Sequence, residues 1–105
     1  MFFKTREEEL VLKKYKHKQM LNMFRNVLTR VSNLKLNQLH VDASAAFLAD
    51  EFNFTVTVFV VNGTNTGLTI YDFWEVKRSQ KLVDAFISAI KSDDFEKVKA
   101  AARTI

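Results

Sequence analysis

The sequence predicts an α+β fold in one domain, and three observations carry that prediction. Residues 5–32 run without Gly or Pro and acquire helical apolar spacing from Met20 onward. Residues 54–61 alternate apolar and polar side chains and are rich in β-branched and aromatic types. After Ser79, two shorter stretches again place apolar residues three and four apart. The expected order is a long N-terminal helix, a short helical or irregular segment, a two-stranded antiparallel hairpin and two C-terminal helices. At 105 residues and 48% hydrophobic content the chain has enough apolar material for a single core.

The first helix is expected over residues 5–32. Thr5 is placed to cap it, and Glu7, Glu8 and Glu9 put negative charge at its positive end. Glu9 and Lys13 form an i,i+4 pair in the favourable orientation. Met20, Leu21, Phe24, Val27, Leu28 and Val31 make one apolar face. One or two turns earlier that face meets Lys13, Lys16 and His17, which a core does not accept without partners. The helix is therefore expected to pack from about Met20, with residues 1–19 as a projecting arm or a contact for a second chain.

Residues 34–41 read as strand or loop, because the alternation of Leu34, Lys35 and Leu36 breaks at Asn37 and Gln38. Asp42 then looks like an N-cap for a short Ala-rich helix over residues 43–51. The hairpin is expected over residues 52–76, turning at residues 62–67, which hold both glycines of the chain. One of its faces carries Phe52, Phe54, Val56, Val58, Val60, Leu68, Ile70, Trp74 and Val76. The other mixes Thr55, Thr57 and Thr69 with Phe59, Val61, Tyr71 and Phe73, and those four apolar residues are a candidate interaction surface. Ser79 is expected to cap a helix through Lys91, with Leu82, Val83, Phe86, Ile87 and Ile90 inside. Asp93 is expected to cap the last helix, with Glu96 positioned for a capping box and Phe95, Val98 and Ala102 buried.

Charge supplies the functional signal. Residues 10–41 hold seven Lys or Arg and no acid. Residues 1–41 balance at +6, from nine basic and three acidic side chains, while residues 42–105 balance at −2, from seven and nine. A positive field concentrated on one element favours an anionic partner. Lys14, Lys18 and Arg25 fall within about 40° of one another around the helix and span about 16 Å of it. The expected phosphate-contacting set is Lys13, Lys14, Tyr15, Lys16, His17, Lys18, Arg25 and Arg30, with Tyr15 or His17 able to stack on a base. The leading expectation is a non-catalytic, dimeric protein that touches DNA or RNA phosphates. The alternative is a protein-binding module or inhibitor without nucleic acid. Abundant Phe, Lys and Asn fit an AT-rich genome such as that of a phage or plasmid.

Glu75-Val76-Lys77 closes the second hairpin strand in this reading and precedes a helix. The triplet resembles the E-x-K strand motif of the restriction-endonuclease-like nucleases. That resemblance covers the hairpin and the following helix only. It implies that Glu75, with a preceding Asp, would hold a divalent metal and that Lys77 would polarise the attacking water. The chain departs from the pattern, since residues 54–68 hold no Asp or Glu where the second ligand belongs. Nuclease chemistry is thus the third expectation.

Other classes find little support. With no Cys there is no disulfide framework, thiolate metal site or cysteine nucleophile. His17 and His40 lack metal-ligand spacing, and His17 reads as a surface residue and His40 as partly buried. Two glycines cannot build a phosphate-cradling loop. Phe2 and Phe3 beside Lys4 and Arg6 suggest membrane contact, but Glu7, Glu8 and Glu9 oppose anionic lipid. No leader or membrane span is expected, nor a cofactor, metal or small-molecule substrate, and the default location is cytoplasmic.

Overall fold

The computed structural model describes residues 6–72 and 74–102. Three helices cover one face of a three-stranded antiparallel sheet: α1 (Arg6–Ser32), β1 (Leu39–Leu48), β2 (Glu51–Val60), β3 (Asn65–Tyr71), α2 (Val76–Lys91) and α3 (Phe95–Ala102). The strands lie in the order β1-β2-β3. The α+β class stands; the two-stranded hairpin does not, because a third strand occupies most of the segment expected to be helical.

That strand is β1. Asp42 is no helix cap but a strand residue opposite Thr57, and residues 43–48 continue the ladder rather than a helix. Ten residues of β1 pair with ten of β2, from Leu39 against Val60 to Leu48 against Glu51. Residues 34–38 are irregular, so of residues 34–41 only Leu39, His40 and Val41 are strand. The β1–β2 connection is the two-residue turn Ala49-Asp50, with φ of 51° and 65°. Two positive φ values in a two-residue hairpin match the right-handed twist of the strands. The β2–β3 turn is shorter than the sequence suggests, since Asn65, Thr66 and Gly67 already belong to β3. There a Cβ on Gly67 would lie 2.9 Å from the Val56 carbonyl oxygen, so the close strand approach requires glycine.

The buried face of the sheet is the expected one over its strand portion. Phe52, Phe54, Val56, Val58, Leu68 and Ile70 are buried against Met20, Met23 and Val27 of α1 and Val83, Phe86, Ile87 and Ile90 of α2. Val98 of α3 completes the core. Phe24 meets Phe54 with ring centroids 5.6 Å apart, which fixes α1 over the middle of β2. Trp74 and Val76 are not strand residues, because β3 ends at Tyr71.

The C-terminal helices start where local chemistry permits. Glu75, in extended backbone, is the N-cap of α2, and Ser79 is buried inside the helix rather than capping it. Asp94, not Asp93, caps α3: its Oδ1 accepts the Glu96 N–H at 3.0 Å. Asp93 lies one residue earlier with φ of 57° and is used differently. Its carboxylate accepts the N–H groups of Asn37, Gln38 and Leu39 at 3.0 to 3.2 Å, tying the entry of β1 to the end of α2. Thr5, Phe2, Phe3, Lys4 and Phe73 lie outside the described residues.

Candidate nucleic-acid interface on the long helix

Three contacts fix how α1 is rotated. His17 lies against Phe47 of β1, with centroids 5.4 Å apart, so one flank faces the β1 side. Arg30 donates to Asp84 of α2 at 2.6 Å, so the opposite flank faces α2. Met20, Met23 and Val27 point into the core between them. The remaining arc of the helix is solvent, and it holds Lys14, Lys18 and Arg25, all exposed. Glu7, in the first turn, is the nearest acid on that line, about 10 Å from Lys14 along the axis.

The eight basic and aromatic residues marked by the sequence therefore divide into three groups. Lys14, Lys18 and Arg25 form the outward stripe. Lys13, Tyr15 and Lys16 line a cleft of about 640 Å³ beneath the first half of α1, together with Glu9, Glu51, Asp72 and Val76. Three carboxylates across that cleft offset the field of Lys13 and Lys16. Tyr15 is exposed, and its hydroxyl accepts from Gln19 Nε2 at 2.8 Å. The third group is committed to the fold. His17 Nδ1 pairs with the buried Asp72, whose Oδ2 also accepts the Phe52 N–H at 3.0 Å. Arg30 is bound to Asp84, and that hydrogen bond holds the Asp84 carboxyl below its ordinary value; partial burial opposes the shift and a hydrogen bond from Gln80 assists it.

The two histidines are thus the reverse of the sequence reading: His17 is half-buried and His40 is exposed. The His17–Asp72 pair was missed because Asp72 sits 55 positions away on a segment judged only by its strand phase. Its one sequence signal was that His17 falls on the core-facing side of α1, where a polar ring needs a buried partner.

The candidate interaction surface separates. Phe59 and Tyr71 are both half-buried on the uncovered face of the sheet, but the register puts Thr55, Thr57, Gly67 and Thr69 between them. Val61 stands in the β2–β3 turn, 97% exposed. Glu75 and Lys77 occupy the start of α2 instead of a strand, so the alternation that puts both on one strand face is absent. Among the described residues no cluster of three or more His, Asp or Glu is arranged to hold a metal ion, and no helix is long and apolar enough to cross a membrane. Comparison with protein-family models, curated proteins and solved structures finds no match to this chain.

Proposed function

We propose that the protein is a binding protein that contacts the phosphates of a nucleic acid through Lys14, Lys18 and Arg25 on the outer arc of α1. The supporting observation is the exposure of these three cations on one arc, whose nearest acid is Glu7 in the first turn, while Glu9, Glu51, Asp72 and Asp84 face other sides of α1. A helix presenting a row of cations tracks a phosphate backbone without reading sequence. The spacing of about 16 Å along the helix suits a few successive phosphates. Lys13, Lys16 and Tyr15 flank the stripe and contribute less, because Glu9, Glu51 and Asp72 share their cleft.

The test is the double substitution Lys14→Glu, Lys18→Glu, assayed by fluorescence anisotropy with labelled duplex DNA and single-stranded RNA. Two charge-assisted contacts worth roughly 1.5 kcal/mol each are removed, so affinity falls on the order of a hundredfold. The control is Lys91→Glu, Lys97→Glu, which makes the same charge change at exposed positions of α2 and α3. Equal losses in the two double variants would show that only net charge matters and would reject the stripe.

A further inference from the structure

We infer that two copies of the chain pair through the free edge of β1 about a two-fold axis at Ser44, joining their sheets into one of six strands. The hydrogen-bond pattern identifies the free groups. The Asp72 N–H donates to the Phe52 carbonyl at 3.0 Å, so Phe52 and its even-numbered neighbours in β2 turn their backbone toward β3. Odd-numbered β2 residues therefore turn toward β1, where the register pairs them with His40, Asp42, Ser44, Ala46 and Leu48. Leu39, Val41, Ala43, Ala45 and Phe47 are left pointing their N–H and C=O groups outward. Leu39 N–H is already taken by Asp93. Among the described residues no strand lies beyond this edge.

Those groups are complementary to themselves. An antiparallel two-fold at Ser44 sets Val41 against Phe47 of the second copy and Ala43 against Ala45, and each such pair exchanges both backbone bonds. Side chains agree with this register. Parity is kept, so inner faces join inner faces. Residues 43–49 carry no charge, and Asp42 comes opposite Ala46, so no like charges meet. Phe47 and Leu48, 67% and 64% exposed, gain Val41 and His40 of the second copy. The edge has none of the usual protection: no Pro, no Lys and no inward charge over residues 43–48.

Two paired strands are a thin contact, and α1 enlarges it. Ala45 is opposite Phe54, and Phe54 meets Phe24, so the axis passes beside the C-terminal half of α1. Leu21 and Leu28 lie within about 40° of His17 around the helix, on the flank that faces β1. The two α1 helices run antiparallel across the axis, and Leu21 of each copy faces Leu28 of the other. Leu28 is 42% exposed in the single chain and is covered by this arrangement. The two arcs bearing Lys14, Lys18 and Arg25 then flank one axis. Only this last consequence rests on the phosphate reading; the pairing itself rests on the sheet edge.

The chain has no cysteine, so Ser44→Cys introduces a single thiol. In the proposed register the two Ser44 residues form a non-hydrogen-bonded pair with Cα atoms about 4.5 Å apart, within disulfide reach. Wild-type protein without nucleic acid is expected to sediment at twice its 12.2 kDa chain mass. Under mild oxidation Ser44→Cys is expected to cross-link on the order of tenfold faster than Ser88→Cys, an exposed position on α2, because pairing raises the effective thiol concentration. Ala45→Pro, which removes an outward N–H at an edge where proline is tolerated, is expected to sediment as monomer with its circular dichroism retained. Wild-type monomer, or equal cross-linking of the two thiol variants, overturns the inference. Neither readout involves DNA or RNA, so failure here is separate from failure of the phosphate reading.

Discussion

At Asp93 one side chain serves two elements. Its backbone, at φ 57°, lets the chain leave α2 in the left-handed conformation that Asp and Asn tolerate better than most residues. Its carboxylate meanwhile gathers three N–H groups at the entry to β1. Desolvation pushes its pKa up, but the hydrogen bonds from Asn37, Gln38 and Leu39 together outweigh it and hold the carboxyl below the ordinary value of 3.8. A depressed carboxyl stabilises the fold above the unfolded value, and that stability is lost as pH falls through the folded value. Asp93→Asn keeps the backbone tolerance and removes the charge. Wild type is expected to unfold at higher urea than Asp93→Asn at neutral pH, and the gap is expected to close as pH falls below about 4. A gap independent of pH contradicts this role. The sequence marked Asp93 as a helix cap because Asp before an apolar run is a start signal. Asp94 carries the same signal, and only the position of residues 37–39 in space decides between them.

At the scale of elements, the sequence reading succeeded where period and packing agree and failed where they compete. β2 was legible because its buried face keeps one period over many residues, and the first helix because its core side does so from Met20, although Met23 is buried there and Leu28 is exposed. In β1 the inward residues are Leu39, Val41, Ala43, Ala45 and Phe47, a valid alternation. It was masked by Ala43, Ser44, Ala45 and Ala46, whose composition favours helix, and by Asp42 in front of them. Ten cross-strand pairs with β2 override that local preference. The turn that makes this pairing possible is itself locally unfavourable, since Ala49 adopts φ 51°. Left-handed backbone costs an ordinary residue roughly 1–2 kcal/mol, and asparagine is preferred at the first position of such turns. Ala49→Asn is therefore expected to raise stability by about 1 kcal/mol in urea unfolding. A loss of stability would mean that the Ala49-Asp50 turn does not set the β1–β2 register.

At the scale of the whole molecule, the uneven charge of the chain becomes a matter of sides. Of the +6 balance of residues 1–41, +4 is carried by a single 27-residue helix with seven basic and three acidic residues, about 40 Å long, in a molecule 52 Å in its longest dimension. Packing divides those cations: Arg30 serves Asp84, Lys13 and Lys16 face a cleft shared with acids, and Lys14, Lys18 and Arg25 remain outward. The sequence made the last three legible, because helical spacing alone puts them on one arc. It left the loss of the others hidden, because most of their acidic neighbours are distant in sequence: Glu51 on β2, Asp72 just after β3 and Asp84 on α2. Edge pairing at Ser44 would bring two such stripes together, each still acting through phosphate charge.

The most direct measurement is the salt dependence of binding to duplex DNA. Three phosphate contacts predict a slope of about −2.7 for log K against log salt, and Lys14→Glu, Lys18→Glu is predicted to reduce it to about −0.9. A wild-type slope near zero, or the same slope in the double variant, would contradict phosphate contact through this stripe.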